Sequence, residues 1–75
     1  MNTTHNKTSD FCKGDSVSYI PLHAEGDATH PDVETGVVSS TNHVNVFVKF
    51  DKYIKRVGWE NTASQAVDPT DLRHN

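Results

Sequence analysis

Two sets of residues alternate strictly along the segment 44–50 of this chain. The first set is Val44, Val46, Val48 and Phe50, and the second set is Asn45, Phe47 and Lys49. A period of two residues is typical of a β-strand that buries one of its faces. The pattern therefore predicts a strand whose valines pack into a core, while Phe47 points outward.

Similar short patterns predict four further strands, at residues 16–20, 36–41, 64–67 and 72–73. Turn-forming residues separate them, with Gly14 and Asp15 before the first strand and Asn42 and His43 before the strand at 44–50. Residues 68–71 are predicted as one turn of 3₁₀ helix, and residues 51–60 as a loop. The predicted core consists of Val17, Tyr19, Val38, Val46, Val48, Phe50, Val67 and Leu72.

The segment 21–35 has neither a helical nor a strand period. It contains two prolines, one glycine, two histidines and four acidic residues. We interpret it as a long ordered loop, and loops of this length are often functional. Residues 1–10 are polar and predict a flexible N-terminal tail, which leaves residues 11–75 as one domain.

Four short motifs follow one another along the chain. They are Gly-Asp-x-Val at 14–17, Gly-x-Val at 36–38, Val-x-Val-x-Phe-Asp at 46–51 and Val-Asp-Pro-x-Asp-Leu at 67–72. Their order resembles the SH3-like small-barrel superfamily, including its Tudor-like and KOW-like modules, over roughly residues 11–73. The resemblance implies an all-β fold, an SH3-like five-stranded small barrel with a long loop after the first strand.

A second likeness rests on the run Tyr-Ile-Pro-x-His-Ala-x-Gly-Asp-x-x-His-Pro-Asp at 19–32. This run is similar to small uncharacterised proteins of bacteriophages and prophages, which implies an inhibitor or adaptor directed at a host protein, such as an anti-CRISPR. The chain also departs from SH3-like modules. Its loop at 21–35 is longer than in KOW-like modules, and too few aromatic residues remain outside the core for the complete cage of Tudor-like binders.

Composition narrows the classes of partner. The chain has 75 residues with seven Lys plus Arg against ten Asp plus Glu, a formal net charge of −3. This balance lowers the expectation of nucleic-acid binding, which usually relies on a basic surface. The single cysteine, Cys12, cannot form an internal disulfide, and we predict it to be buried or half-buried. Without a signal peptide or an apolar run of about 20 residues, we predict a cytoplasmic protein without a membrane role.

The loop at 21–35 carries side chains that could bind a metal ion or a partner. His23, Asp27, His30, Asp32 and Glu34 are residue types that ligate zinc, but they lack the paired cysteines or the helical histidine pair of strong zinc motifs. Hydrogen bonding within the loop is therefore the prediction, and no metal, cofactor or catalytic residue is assigned. We expect a protein that is not an enzyme, because a small barrel fills its own interior and leaves no concave pocket.

A second candidate surface combines aromatic and basic side chains. Its residues are Phe47, Lys49, Lys52, Tyr53, Lys55, Arg56 and Trp59. Exposed aromatic residues beside Lys and Arg are typical of protein interfaces. We therefore expect a protein-interaction module, a monomer or small homo-oligomer, that binds another protein through this surface and through His23, Glu25, Asp27 and His30.

Three questions remain open at this level. The alternative function is weak nucleic-acid binding through Lys49, Lys52, Lys55, Arg56 and Trp59, where bases would stack on the aromatic ring. Trp59 either lies on the surface or covers an end of the core. The acidic residues at 25–34 and the basic residues at 49–56 either occupy different faces or neutralise each other.

Overall fold

The predicted strands are present in a computed structural model of the chain, which describes residues 7–21, 23, 27 and 29–75. The elements are a 3₁₀ turn Thr8–Asp10, strands β1 (Ser16–Tyr19), β2 (Glu34–Thr41) and β3 (Val46–Phe50), a helix α1 (Asp51–Val57), strand β4 (Gln65–Val67), a 3₁₀ turn Pro69–Asp71 and strand β5 (Leu72–His74). The prediction of a 3₁₀ turn near residues 68–71 is confirmed. The fold is therefore mostly β with one short helix.

The five strands form one antiparallel sheet in the order β4-β3-β2-β1-β5. Strand β1 pairs with both β2 and β5, and β3 pairs with both β2 and β4. The edge strands β4 and β5 follow one another in the chain and are connected by the 3₁₀ turn Pro69–Asp71. Among the described residues no ladder joins β4 to β5, so the sheet is open, and the predicted closure into a barrel is not observed.

The core lies on the inner face of the sheet, and buried residues alternate with outward-facing residues along β3 as predicted. Val46 and Val48 have no exposed surface, whereas Phe47 between them is half-buried on the outer face. Among the other hydrophobic residues that the structure describes, Val17, Val38 and Leu72 also have no exposed surface. Phe11 and Ile20 join this core although they were not predicted in it, and Tyr19, which was, packs against it half-buried.

The predicted strand at 44–50 starts two residues late. Val44 is 60% exposed, because the side chain of Asn42 accepts the backbone N–H groups of Val44 and Asn45 at 2.7 Å each. Such an asparagine turn competes with strand pairing for the same donors. The prediction that the strand starts at Val44 was therefore wrong, and β3 begins at Val46.

Strand β2 begins at Glu34, so the connection between β1 and β2 is shorter than the predicted loop at 21–35. Gly36 lies directly against β3. A Cβ atom at this position would be 2.7 Å from the carbonyl oxygen of Lys49 and 2.7 Å from Cγ1 of Val48. Only glycine fits there without a shift of the neighbouring strand.

The segment 51–60 was predicted as a loop, and this was wrong, because Asp51–Val57 is helix α1. Asp51 in its first turn and Lys55 and Arg56 in its last turn complement the helix dipole. Gly58, at φ 86°, ends the helix and donates its N–H to the carbonyl of Ile54. The prediction for Cys12 was also wrong, because its side chain is exposed.

In the described part of the chain, no helix has the length and apolar character needed to cross a membrane.

Candidate functional site

A groove lies at one end of the sheet, where β1 and β2 meet helix α1 and the 3₁₀ turn Pro69–Asp71. Its deeper part is a cavity of about 330 Å³, and a shallower depression of about 770 Å³ continues from it across shared residues. The shared residues are Tyr19, Glu34 and Lys52. We call this site the acidic groove and define it by Tyr19, Asp32, Glu34, Lys52, Tyr53, Asp68 and Asp71.

Tyr19 marks the place where the core ends and the acidic groove begins. It follows Val17 on the same face of β1 and pairs with Glu34 of β2 and Leu72 of β5. Its ring meets the ring of Phe50 edge to face at 6.2 Å between centroids. The next residues, Ile20 and Pro21, are buried, which fixes the backbone after the strand. The ring is therefore anchored on its inner side and presented to the groove.

The wall formed by helix α1 carries a cation that is already paired. Lys52 Nζ lies 2.7 Å from Oε1 of Glu34 and 5.1 Å from the ring centroid of Tyr53. Its interaction with Glu34 raises the pKa of Lys52. The same Oε1 atom is buried and lacks a well-aligned hydrogen bond among the described residues, so the contact is an ion pair. Through this ion pair, the acidic segment 25–34 and the basic segment 49–56 neutralise each other in part.

The opposite wall carries two carboxylates on the 3₁₀ turn. Asp68 accepts the backbone N–H of Thr70 at 2.9 Å and its hydroxyl at 2.8 Å, which fixes the start of the turn. Partial burial, and then the charge of Asp68, raise the pKa of Asp71 against the opposing effect of Arg73. Two negative charges held close together at a concave surface favour the approach of a cation.

The prediction of hydrogen bonding within the loop holds for His23, Asp27, His30 and Asp32. It does not hold for Glu34, which pairs with Lys52. His23 Nε2 lies 2.7 Å from Oδ2 of Asp32, and the rings of His23 and His30 meet at 5.2 Å between centroids. Asp27 accepts the backbone N–H and the hydroxyl of Thr29, and these hydrogen bonds lower the pKa of Asp27. Glu25 lies outside the described residues. Of the four loop residues predicted to bind a partner, His23 lines the groove, and Asp32 and Glu34 of the same predicted loop line it as well.

The predicted aromatic and basic surface is divided by the structure. Lys52 and Tyr53 line the acidic groove, whereas Phe47 and Lys49 lie on the outer face of β3. Lys55 and Arg56 are exposed in the last turn of α1. Lys52 and Lys55 also line a common depression, so the structure brings part of the predicted set together.

Trp59 is a surface residue with 37% of its area exposed, which answers the second open question. Lys49 Nζ lies 4.4 Å from the centroid of its ring and donates to its backbone carbonyl at 2.7 Å. The ammonium group therefore stabilises the loop after α1 and covers one face of the indole.

Sequence reasoning missed three residues of the groove. Tyr19 was assigned to the core, and Asp68 and Asp71 were assigned only to a turn. The repeated acid in the motif Val-Asp-Pro-x-Asp-Leu was the available signal, since both carboxylates of one short turn must lie close together.

No family model, curated protein or solved structure matches this chain. The likeness to SH3-like modules and to bacteriophage proteins thus stays a prediction from sequence.

Proposed function

We propose that this protein is a non-enzymatic interaction module that binds another protein by receiving a basic side chain in the acidic groove. The observation that carries the proposal is the composition of this groove. Four carboxylates, from Asp32, Glu34, Asp68 and Asp71, line it together with two tyrosines, and its one lysine is already paired with Glu34.

The dimensions of the deeper part of the groove suit a side chain rather than a large ligand. A cavity of about 330 Å³ is near the lower limit of typical small-molecule sites, about 300–1,000 Å³. The ring of Tyr19 offers a face on which the stem and the cationic head of arginine or lysine can rest, whereas the ring of Tyr53 already holds the ammonium group of Lys52. The shallower depression, with Pro21 and Pro31, gives room for the neighbouring residues of a partner.

The finer fold class belongs to the same proposal. An SH3-like barrel is supported by the pairing of β1 with both β2 and β5 and by the 3₁₀ turn between the last two strands. A phage-encoded inhibitor of a host defence protein, acting in the cytoplasm, is the biological setting that the run at 19–32 favours.

Nucleic-acid binding is less well supported by the contacts. Lys49 covers one face of Trp59, where a base would stack, and Lys52 is paired with Glu34. Lys55 and Arg56 remain exposed, but two cations give a weak electrostatic attraction to phosphates. A basic partner protein is therefore the better match to the surface.

The experiment is a titration of ¹⁵N-labelled protein with three small probes, observed in ¹H–¹⁵N NMR spectra. The probes are the N-acetyl N-methylamides of arginine, lysine and glutamate. We expect the two basic probes to shift the backbone amide resonances of Tyr19, Tyr53, Asp68, Thr70 and Asp71, with a response that weakens as salt is added. We expect the glutamate probe to leave these resonances unchanged.

A pair of charge-matched variants locates the site. Asp68→Asn keeps a residue that caps the 3₁₀ turn, so the fold is retained while one carboxylate of the groove is removed. Glu60→Gln removes one charge at an exposed position outside the groove. Weaker binding of the arginine probe in the first variant alone supports the proposal. An equal response in both variants contradicts it, and salt-sensitive binding of random single-stranded DNA without any response to the basic probes would favour the nucleic-acid alternative.

A further inference from the structure

Three potential metal ligands converge on the loop between β1 and β2. His23, His30 and Asp32 each offer one ligand atom, and these atoms lie within 4.8 Å of one another. Two of them, His23 Nε2 and Asp32 Oδ2, are already 2.7 Å apart. We propose that these three side chains form a binding site for a divalent transition-metal ion, with Zn²⁺ as the ion of choice. This site goes beyond the proposed function.

The geometry requires only a small adjustment. In a tetrahedral zinc site with bonds of about 2.0–2.1 Å, neighbouring ligand atoms are about 3.4 Å apart. The ligand atoms here therefore have to move by about 1 Å, with His23 and Asp32 separating slightly and His30 approaching. Side-chain rotation achieves such a shift without changing the register of any strand.

The existing hydrogen bonds indicate which atoms act as ligands. A neutral imidazole ligates a metal through its unprotonated nitrogen. His30 accepts the backbone N–H of Asp32 at Nδ1, so Nδ1 carries the lone pair in that ring. His23 meets the carboxylate through Nε2. On metal binding, the ion takes the place of the proton between His23 Nε2 and Asp32, and the neutral ring of His23 then carries its proton on Nδ1. His30 Nδ1 exchanges its hydrogen bond from the backbone N–H of Asp32 for the ion, and that N–H then donates to water.

The other two acidic residues once considered for a metal are engaged elsewhere. Asp27 is turned toward Thr29, and Glu34 is paired with Lys52. The site thus has three protein ligands of mixed imidazole and carboxylate type, which suits Zn²⁺ better than Ca²⁺ or Mg²⁺. The side chains of His23 and Asp32 are 61% and 60% exposed, so water can complete the coordination.

The metal would act on the groove as well as on the loop. His23 and Asp32 line the shallower depression of the acidic groove together with Tyr19 and Lys52. An ion bound here connects residue 23 to residues 30–32 and holds one wall of the depression in place. It also adds positive charge to a wall that otherwise contributes a carboxylate.

The test is thermal unfolding with and without ZnCl₂, followed by circular dichroism, with a chelator as the reversal step. We expect Zn²⁺ to raise the Tm of the parent protein and the chelator to cancel the increase, since an ion that binds only the folded state stabilises it. Co²⁺ serves as a spectroscopic probe, and we expect visible absorption bands of four-coordinate Co²⁺.

Matched substitutions distinguish this site from adventitious binding. His23→Gln and His30→Gln each remove one ligand, and we expect Zn²⁺ affinity to fall by about tenfold or more in each. His43→Gln, in the exposed turn after β2, and Asp27→Asn serve as controls and retain the affinity of the parent. The proposal is overturned if the parent shows no Tm shift with Zn²⁺, or if the ligand variants bind Zn²⁺ as tightly as the controls do.

Discussion

The interior of the sheet and the acidic groove are adjacent, but they are built on opposite principles. The interior contains residues such as Val17, Val46 and Val48, which have no exposed surface and no polar atoms in their side chains. The groove brings carboxylates together, and partial burial, followed by the charge of Asp68, raises the pKa of Asp71 and makes its charged form less favourable. The core therefore stabilises this small domain, whereas the charged surface of the groove lowers its stability.

The largest expected effect comes from a charge placed in the interior. Val48→Asp buries an unpaired carboxylate, and this costs more than the about 3–5 kcal/mol of stability available to a domain of this size. We expect the variant to be unfolded by circular dichroism and by loss of dispersion in its NMR spectrum. Val44→Asp is the matched control and folds normally, because Val44 is 60% exposed. If Val48→Asp unfolds with the same transition as the parent protein, Val48 does not lie in an apolar interior, and the contrast between the interior and the groove is wrong.

A smaller effect is expected where two strands touch. Gly36→Ala places a methyl group 2.7 Å from the Lys49 carbonyl and from Val48, so β2 and β3 must separate. We expect a loss of about 1–3 kcal/mol in the free energy of unfolding, measured with urea. Ser40→Ala, at an exposed position of the same strand, is the control and changes stability little. Equal stability of the two variants would contradict the close approach of β2 and β3.

The loop after α1 should respond more weakly. Lys49→Met keeps the length of the side chain but removes the ammonium group that lies over Trp59. We expect a loss of about 0.5–1 kcal/mol in urea unfolding, together with a change in the fluorescence of Trp59, the single tryptophan. Lys55→Met, in the last turn of α1, is the control. Unchanged fluorescence in Lys49→Met would indicate that the two residues do not interact.

The smallest expected effect has the opposite sign and lies in the groove. Partial burial and Asp68 raise the pKa of Asp71 above its ordinary value of 3.8, so the folded state binds this proton more tightly than the unfolded state does. Stability from this group is therefore present in acid and is lost as pH rises through the folded pKa. We expect Asp71→Asn to gain about 0.5 kcal/mol or less near pH 7 and nothing below the ordinary pKa.

The check for Asp71→Asn is urea unfolding at neutral and acidic pH, combined with a titration of the arginine probe. If the variant is more stable and binds the arginine probe less well, the carboxylate of Asp71 contributes to binding and lowers the stability of the fold, as the comparison states. If the variant is less stable near pH 7, the carboxylate contributes to folding, and the comparison between the two regions is wrong at this residue.

The sheet was largely predictable because strand patterns are local. The alternation around Val46 and Val48 and the turn residues between segments are properties of neighbouring residues, and the structure confirms them. Helix α1 could not be predicted in the same way. Its apolar residues Tyr53, Ile54 and Val57 do have a helical spacing, but the helix spans only seven residues and buries none of them. A pattern of two turns is too short to separate a helix from a loop.

The groove was less predictable because distant segments assemble it. Tyr19, Lys52 and Asp71 come from a strand, a helix and a 3₁₀ turn that only the sheet order brings together. The number of charged residues along the chain also led to a wrong expectation about the surface. The basic segment at 49–56 suggested a cationic surface, but two of its lysines are engaged by Trp59 and Glu34 within the molecule.

The ion pair between Lys52 and Glu34 has a consequence for how selective the proposed module is. An incoming arginine or lysine has to compete with a tethered ammonium group that is always present at high local concentration. Free amino acids, polyamines and other small cations therefore bind weakly, and they occupy the groove only at the high concentrations of a titration. A partner protein binds tightly only if other parts of its surface add enough contacts to displace Lys52 from Glu34. Lys52 thus makes recognition selective for partners with a larger complementary surface.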